Sequence, residues 1–400
     1  MPEPTDQTCV LAYSGGLDTS FCIPYLTERG YAVQAVAVNT GGFSESEVEQ
    51  MRARALQLGA AGFECVDASE TYYRKCIRYL VYGNVLRGNV YPLCVSSERA
   101  FQAMAVLEAV RRHGAGYVAH GSTGAGNDQV RFDIVFQSLA PEVEIITPIR
   151  DDGLSREAEL AFLAERGFTW AAEKKTYSVN QGLWGTSVGG AETLTSHAPL
   201  PDGAYPTPLS RNRPRALAIG FERGEVATID GEALAPVALI QRLQALAQPY
   251  GIGRDIHVGD TIIGIKGRVG FEAAAAVLIT KAHELLEKHT LAKWQAYWKR
   301  QLGEWYGMAL HEGQYLDPSM RDIEGFLEST QRHVTGTVHL TLHPRTFSLD
   351  GVDSPNDLMN SAFGTYGEEN TAWTAADVKG FTKVLANPHA IYYAQHPDEL

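Results

Sequence analysis

Short apolar runs alternate with amphipathic stretches along the first 150 residues of the chain. The runs have the length and composition of buried parallel strands, and they lie at residues 10–12, 31–38, 63–66, 117–119 and 143–149. Helical patterns separate them, and the helix predicted after Ser44 opens with a capping box that Glu47 completes. Strands that alternate with helices in this way predict an α/β fold with a doubly wound parallel sheet.

The pattern changes between residues 150 and 170, where the regular alternation ends. Residues 170–214 are rich in glycine and proline and predict a long irregular segment, which in a compact protein usually has a function. Beyond it, strands are predicted at 216–221, 225–229, 261–266 and 336–342, and helices at 237–248, 273–288 and 377–385. The second half of the chain is therefore predicted to be α+β, with a helical tail suited to embracing a neighbouring subunit.

Residues 9–20 read CVLAYSGGLDTS and join the first predicted strand to the first predicted helix. Gly15 and Gly16 allow a sharp turn, and Asp18 is predicted to cap a helix that runs to about Arg29. Such a turn directs several backbone N–H groups at one point, where phosphate binds. The loop lacks the lysine of a Walker A motif. An ordinary strand–turn–helix junction is the alternative interpretation.

A second polar loop, HGSTGAGNDQVRF at residues 120–132, directly follows another predicted strand. It offers a dense set of donors and acceptors, namely Thr123, Asn127, Asp128, Gln129 and Arg131. Taken alone, it could be a polar surface loop with turn glycines. Because ligands of such sheets bind at the carboxyl ends of the strands, we expect both loops to form one site.

Composition and charge narrow the class of protein. Of the 400 residues, 44% are hydrophobic and 20% charged, which is ordinary for a globular protein, and the formal charge of −13 argues against nucleic acid as the main partner. The longest apolar run, 273–279, is too short to span a bilayer, and no signal peptide is visible. Five cysteines without a C-x-x-C motif indicate reduced thiols, so a cytoplasmic enzyme is expected.

Three further patterns each allow two interpretations. His283 begins a sequence that lacks the second histidine of a zinc motif, which favours a helix face over a metal site. The aromatic residues between 294 and 306 favour core or subunit contact over a stacking platform. Lys266 and Arg268 could form a solvated basic turn or bind phosphate or carboxylate.

Three motifs together resemble the argininosuccinate synthase family of PP-loop ATP pyrophosphatases. They are residues 12–20, residues 120–132, and Tyr177-Ser178 with 183–185, and the segments 251–254 and 264–268 extend the likeness. The resemblance implies a PP-loop nucleotide-binding domain (1–168), an α+β synthetase and oligomerisation domain (169–370) and a C-terminal helical tail (371–400). It also implies arginine biosynthesis by ATP-dependent joining of citrulline to aspartate through a citrullyl-adenylate. ATP, Mg²⁺ held through the nucleotide, and a homotetramer are expected.

The resemblance assigns roles to residues by position. ATP would contact Ala12, Tyr13, Ser14, Gly15, Gly16, Leu17, Asp18, Thr19, Ser20, Val38 and Gly121. Aspartate would contact Thr123, Asn127 and Asp128, and citrulline would contact Asn127, Arg131, Ser178 and Ser187. Asp128 and Arg131 are the expected catalytic residues, with Asp128 orienting the attacking amine. No protein side chain is expected to ligate a metal.

The chain departs from the family pattern on the citrulline side. Gly259 and Phe271 stand where the family usually has a glutamate and a tyrosine that help to hold citrulline. Either neighbours such as Asp260 or Glu272 compensate, or the acceptor differs. Two alternatives to a citrulline ligase therefore stay open: a ligase for another ureido or amide acceptor, and a nucleotide sensor without catalysis. The intact second polar loop argues against the sensor.

Overall fold

The first sheet has five parallel strands. In the computed structural model, which describes residues 7–170, 176–360, 363–364, 367 and 371–399, the order is β3-β2-β1-β4-β5. The strands are β1 Gln7–Ala12, β2 Tyr31–Asn39, β3 Gly62–Asp67, β4 Tyr117–His120 and β5 Glu144–Ile146. β1 and β4 are neighbours, and the next strand after each of them lies on the outer side of the pair: β2 beside β1, and β5 beside β4. The sheet therefore has a topological switch point between β1 and β4. The predicted doubly wound parallel sheet is confirmed.

Eight α-helices accompany this sheet in the described residues before 170: α1 Leu17–Thr27, α2 Glu45–Gln57, α3 Ser69–Tyr72, α4 Arg78–Tyr82, α5 Arg99–His113, α6 Asp128–Leu139, α7 Pro148–Asp151 and α8 Arg156–Glu165. A π-helical turn, Tyr73–Ile77, joins α3 to α4. Both faces of the sheet are covered, because Cys9 and Leu11 of β1 belong to one buried cluster and Val10 to another. This explains why β1 is a continuous apolar run.

Local sequence signals predict some limits of helices and strands correctly and others wrongly. The capping box is confirmed, since Ser44 Oγ accepts from the N–H of Glu47 at 3.3 Å and Glu47 Oε2 accepts from the N–H of Ser44 at 2.8 Å. The prediction of Asp18 as the N-cap is wrong. The N-cap residue is Gly16, and no side chain makes a capping hydrogen bond there. The strand predicted to residue 149 is also too long, because Pro148 begins α7 and suits the first position of a helix.

The second half of the chain contains two antiparallel sheets. Their orders are β10-β9-β8-β13-β14 and β11-β12-β7-β6. The strands are β6 Ser178–Gly182, β7 Gly185–Gly189, β8 Arg215–Glu222, β9 Glu225–Ile229, β10 Glu232–Ala233, β11 Arg254–Asp260, β12 Lys266–Glu272, β13 Gly336–His343 and β14 Thr346–Asp353. The helices of this half are α9 Pro236–Ala247, α10 Ala274–Thr290, α11 Lys293–His311 and α12 Pro318–Thr330. The predicted α+β character is confirmed.

Two predictions in this half are wrong. The segment 170–214 is not irregular throughout, because its polar residues form the β6–β7 hairpin. The strand predicted at 261–266 is a turn between β11 and β12, closed by hydrogen bonds that Thr261 Oγ1 and the N–H of Ile265 donate. Gly264 supplies the positive φ of 83° that this turn requires.

The structure shows the positions of five side chains from two of the ambiguous sequence patterns. His283 is fully buried in α10, where its ring nitrogens contact Asn84 Oδ1 at 2.7 Å and Gln331 Oε1 at 2.9 Å. Tyr306 is buried in α11 and donates to Glu324. The tryptophans of the same helix, Trp294, Trp298 and Trp305, are exposed, so core packing does not account for them.

The chain divides into two units, Met1–Pro355 and Asn356–Leu400. In the second unit, α13 spans Ala375–Gln395 and is more than twice as long as the predicted helix. It starts with a capping box between Thr374 and Asp377, and none of its residues is buried. Among the described residues, no helix is long and apolar enough to cross a membrane.

Candidate active site

The two polar loops meet at the switch point of the first sheet. The first loop, residues 13–16, connects β1 to α1, and the second, residues 121–127, connects β4 to α6. A Cβ atom added to Gly121 would lie 3.1 Å from the backbone nitrogen of Thr19 and from the carbonyl carbon of Asp18. The glycine at residue 121 therefore lets the second loop approach the first turn of α1 more closely than a larger residue would.

The first loop presents backbone N–H groups. Leu17, Asp18 and Thr19 form the first turn of α1, where N–H groups have no carbonyl partner within the helix. Gly15 has φ of 72°, and a Cβ atom there would lie 2.7 Å from Met51 Cγ. The loop thus combines a helix N-terminus with a positive-φ glycine, which is the geometry of a phosphate site.

Side chains hold this loop in place. Ser14 Oγ lies 3.2 Å from Thr19 Oγ1, which links the two ends of the turn. Arg54 of α2 donates to the carbonyl of Gly15 at 2.7 Å. Sequence analysis did not single out Arg54, because its helix lies far from the loop in sequence. It is a basic side chain beside the predicted phosphate site.

A cavity of about 220 Å³ lies next to the second loop. Four of the predicted substrate residues line it, namely Asn127, Asp128, Arg131 and Ser187. Thr123 is exposed in the loop, and Ser178 is exposed on β6, and neither lines the cavity. Val38 is buried near the end of β2, on the side of the first loop.

Several lining residues were missed by the sequence analysis. They are Arg87, Tyr91, Ser96, Arg99, His257 and His311. They come from four separate segments of the chain, and no local motif connects them. Arg99 and His311 are helix residues, and His257 lies in a strand with otherwise alternating burial. Only the three-dimensional fold brings these side chains together.

Asp128 is held by two arginines. Arg99 Nε donates to Asp128 Oδ2 at 2.9 Å, and Arg131 Nη1 donates to Asp128 Oδ1 at 3.0 Å. Burial alone would raise the pKa of Asp128, but the charges of Arg99 and Arg131 outweigh it and lower the pKa below its usual value. The carboxylate is therefore ionised and suited to binding a cation rather than to removing protons.

Arg131 connects α6 to the end of α11. Its Nε and Nη2 donate to the carbonyl of His311 at 3.1 and 2.9 Å, and Nη2 lies 3.3 Å from His311 Nδ1. Burial, followed by the charges of Arg131 and Arg87, lowers the pKa of His311 to about 3, against a smaller opposite effect of the Asp260 carbonyl. The imidazole is therefore neutral. Because Nδ1 faces a donor, the proton lies on Nε2.

The third sheet forms the opposite wall of the cavity. The N–H of Ile262, in the β11–β12 turn, donates to Asn127 Oδ1 at 2.9 Å. Ser187 of β7 lies opposite Phe271 of β12 in the antiparallel ladder. The N–H of Leu183 donates to the Thr40 carbonyl at 3.0 Å, which ties the β6–β7 hairpin to the end of β2. The cavity thus lies between the parallel sheet and this antiparallel sheet.

Comparison with known proteins shows the class of protein to which this chain belongs. Residues 8–169 match the family model described as the arginosuccinate synthase N-terminal HUP domain, and residues 177–392 match the arginosuccinate synthase C-terminal domain. The first half is thus a HUP-class nucleotide-binding domain. The chain belongs to the argininosuccinate synthase family.

Curated relatives agree over nearly the whole length. An argininosuccinate synthase of Xanthomonas campestris is 36% identical over 395 residues, which cover 96% of this chain and 97% of the relative. The argininosuccinate synthase of Rubrobacter xylanophilus is 37% identical, covering 97% and 96%. That of Methanocaldococcus jannaschii is 35% identical, covering 91% and 93%. The resemblance stated from the sequence motifs is confirmed.

Proposed function

We propose that this protein joins citrulline to aspartate with MgATP, and releases argininosuccinate, AMP and pyrophosphate. The observation that carries the proposal is the meeting of the two polar loops at the switch point, beside the cavity that Asn127, Asp128 and Arg131 line. A nucleotide bound at the first loop would place its phosphates next to this cavity. The family and the full-length relatives support the same reaction.

The proposed reaction has two steps. The ureido oxygen of citrulline attacks the α-phosphorus of ATP, an O–P bond forms, and pyrophosphate leaves. The amine of aspartate then attacks the ureido carbon, a C–N bond forms, and AMP leaves with the former ureido oxygen. Both steps increase negative charge on phosphate oxygens. The N–H groups of Leu17, Asp18 and Thr19, in the first turn of α1, would stabilise that charge.

Asp128 and Arg131 are the proposed catalytic residues. The ionised carboxylate of Asp128 would orient the amino group of aspartate, and Arg131 and Arg99 hold that carboxylate in one position. No proton transfer is assigned to Asp128, because its lowered pKa makes it a weak base. Holding three substrates together supplies much of the remaining acceleration, about 7–11 kcal/mol in favourable cases.

Mg²⁺ fits the site through the nucleotide. In the part of the chain that the structure describes, no group of three or more His, Cys, Asp or Glu residues is placed to hold a metal. Asp18 is the acidic residue of the first turn of α1. The phosphates would therefore supply most of the oxygen ligands, as Mg²⁺ usually requires, and the ion would neutralise the leaving pyrophosphate.

The assembly and cellular place are also proposals. The proposed homotetramer is supported by the exposed apolar side chains on α11 and α13. The proposed cytoplasmic location follows from the proposed biosynthetic reaction. Of the proposed domain limits 1–168, 169–370 and 371–400, the first is supported by the change from a parallel sheet to antiparallel sheets. The C-terminal unit of the structure begins earlier than the third, at Asn356.

A dropout assay tests the function. Pyrophosphate and AMP are measured with MgATP, citrulline and aspartate together, and with each omitted in turn. We expect release that needs all three, and argininosuccinate detected by mass spectrometry. ATP binding without AMP formation in any combination would instead indicate a nucleotide sensor.

A further inference from the structure

Three side chains of the cavity lining have nitrogen atoms that make no hydrogen bond of ordinary geometry to protein groups. Arg87 Nη1, His257 Nε2 and His311 Nε2 are buried and lack such a bond within the described part of the chain, and the Asp260 carbonyl is close enough to His311 only to affect its pKa. All three residues line the cavity. We call these three residues the donor corner. Since buried polar groups normally have partners, and these three line a cavity, they are available to a ligand bound there.

Each member of the donor corner is fixed by its surroundings. Arg87 Nη2 donates to the Asp260 carbonyl at 3.1 Å, which leaves Nη1 as the free end of the guanidinium. The His257 ring stacks on Tyr91 with ring centres 5.3 Å apart and planes 17° apart. Arg131 fixes His311, so that its Nε2 carries the proton. A guanidinium and a protonated imidazole nitrogen are donors, and an anion is their natural ligand.

The side chain of His257 restricts which residue can stand at position 259. A Cβ atom at position 259 would lie 2.6 Å from His257 Nε2, so the imidazole fills the space that a side chain at 259 would enter. The family resemblance places a glutamate at this position. By that resemblance, an imidazole stands at the wall of the cavity in place of a carboxylate. Phe271, whose ring centre lies 5.3 Å from that of Tyr91, stands in place of a tyrosine.

Two carboxylates line the cavity, and neither is left for a group at the donor corner. Asp128 is assigned to the amino group of aspartate, and Asp260 pairs with Lys266 at 2.7 Å. An ammonium group at the donor corner would thus lose its hydration beside Arg87 without gaining a carboxylate. A carboxylate at the same place would accept from two buried donors, Arg87 Nη1 and His311 Nε2.

We propose that the acceptor which this cavity selects is a ureido acid whose far end is a carboxylate without a neighbouring free ammonium, and that the donor corner binds this carboxylate. The proposal rests on the proposed function, since the ureido group reacts with ATP and aspartate as described above. The proposed acceptor differs from citrulline only at the end of the molecule remote from the ureido group. Citrulline, which carries an α-ammonium, is then the poorer acceptor.

The test compares two acceptors that differ by that one group. Pyrophosphate release is measured with MgATP, aspartate and either citrulline or 5-ureidopentanoate, in which hydrogen replaces the α-ammonium. We expect kcat/KM for 5-ureidopentanoate to exceed that for citrulline by about tenfold or more, mainly through KM. Equal values, or a preference for citrulline, overturn this proposal and leave the proposed function standing. Release with neither acceptor overturns both.

Variants assign the effect to the donor corner. Arg87→Gln should raise KM for 5-ureidopentanoate about tenfold with a smaller change in kcat. The double variant His257→Ala with Gly259→Glu removes the imidazole and restores a carboxylate, so it should reverse the preference towards citrulline. Arg242→Gln, which breaks an exposed ion pair with Glu232 outside the cavity, is the matched control.

Folding is monitored in each variant by the thermal midpoint and by ATP binding. If the double variant folds, binds ATP and keeps the original order of preference, the donor corner does not set specificity. If Arg87→Gln raises KM for both acceptors equally, the guanidinium does not distinguish them. Either result contradicts the proposal.

Discussion

The carboxylate of Asp128 lies between two guanidinium groups. In the proposed reaction it acts through its charge and not as a base. Asp128→Asn keeps the size of the side chain and removes the charge that would orient aspartate. We expect kcat/KM for aspartate to fall at least about 100-fold, because a hydrogen bond to a charged group contributes about 1.5–3 kcal/mol and orientation is lost as well. Steady-state kinetics with varied aspartate measures this.

The control for this substitution is Asp350→Asn. Asp350 accepts from Ser348 and Thr341 on an exposed hairpin away from the cavity. Its kinetic constants should equal those of the wild type. Unchanged turnover in Asp128→Asn would eliminate the orienting role.

Glu98 makes the stability of the protein depend on pH. Its side chain is 2% exposed, and burial raises its pKa to about 7, against the effects of Arg99 and Thr40. The folded state therefore keeps a proton that the unfolded chain loses at a pKa near 4.5. The free energy of unfolding should fall as pH rises from about 4.5 to 7, and should not change further through this group above pH 7.

Glu98→Gln removes this titration. Across pH 5–8 the unfolding free energy of the variant should gain about 2 kcal/mol relative to the wild type, given about 1.4 kcal/mol for each unit of pKa shift. Urea unfolding at several pH values measures the difference. Parallel pH profiles for the two proteins would show that Glu98 keeps an ordinary pKa.

At the scale of elements, helices α4 and α11 approach closely at two glycines. A Cβ atom on Gly303 would lie 2.3 Å from the carbonyl oxygen of Gly83 and 2.9 Å from its Cα. Gly303→Ala should therefore lower the free energy of unfolding by about 2–3 kcal/mol, because backbone atoms must move apart. Denaturant unfolding followed by circular dichroism measures the loss.

Gly325 of α12 offers the matched comparison. It is an exposed helical glycine, and an added Cβ atom there would meet nothing within 4 Å. Gly325→Ala should stabilise the protein by about 0.5–1 kcal/mol through helix propensity alone. Similar destabilisation by both substitutions would mean that the contact between α4 and α11 is not tight.

The same scale shows what could be predicted from the sequence. The strands of the parallel sheet and the helix after Ser44 follow from apolar runs and a capping box, which are local signals. The β6–β7 hairpin could not be found in this way, because its residues are small and polar. It is held by the pairing of β6 with β7 and of β7 with β12. Asn127 and Asp128 belong to a recognisable motif. His257 and His311 belong to none, because their position depends on the packing of distant segments.

At the scale of the whole molecule, the exposed apolar side chains on α13 are a feature that a monomer would not need. Val378, Phe381, Leu385 and Tyr392 recur at helical spacing, and each is more than 40% exposed. If the helix is an arm that packs on a neighbouring subunit, the double variant Phe381→Ser with Leu385→Ser should reduce the assembly from tetramers to smaller species. Light scattering after size-exclusion chromatography measures the mass.

Substitutions on the charged residues of the same helix provide the control. Lys379→Ser with Lys383→Ser changes two exposed residues of α13 and should leave the mass unchanged. A wild-type protein that is monomeric, or an apolar double variant with the original mass, would contradict the role of α13.

The contact between His257 and Gly259 also restricts how this protein could have diverged. A glutamate at 259 and a histidine at 257 cannot occupy the same space, so the two substitutions are not independent. A residue larger than glycine at 259 therefore requires a smaller side chain than histidine at 257, or a displaced imidazole.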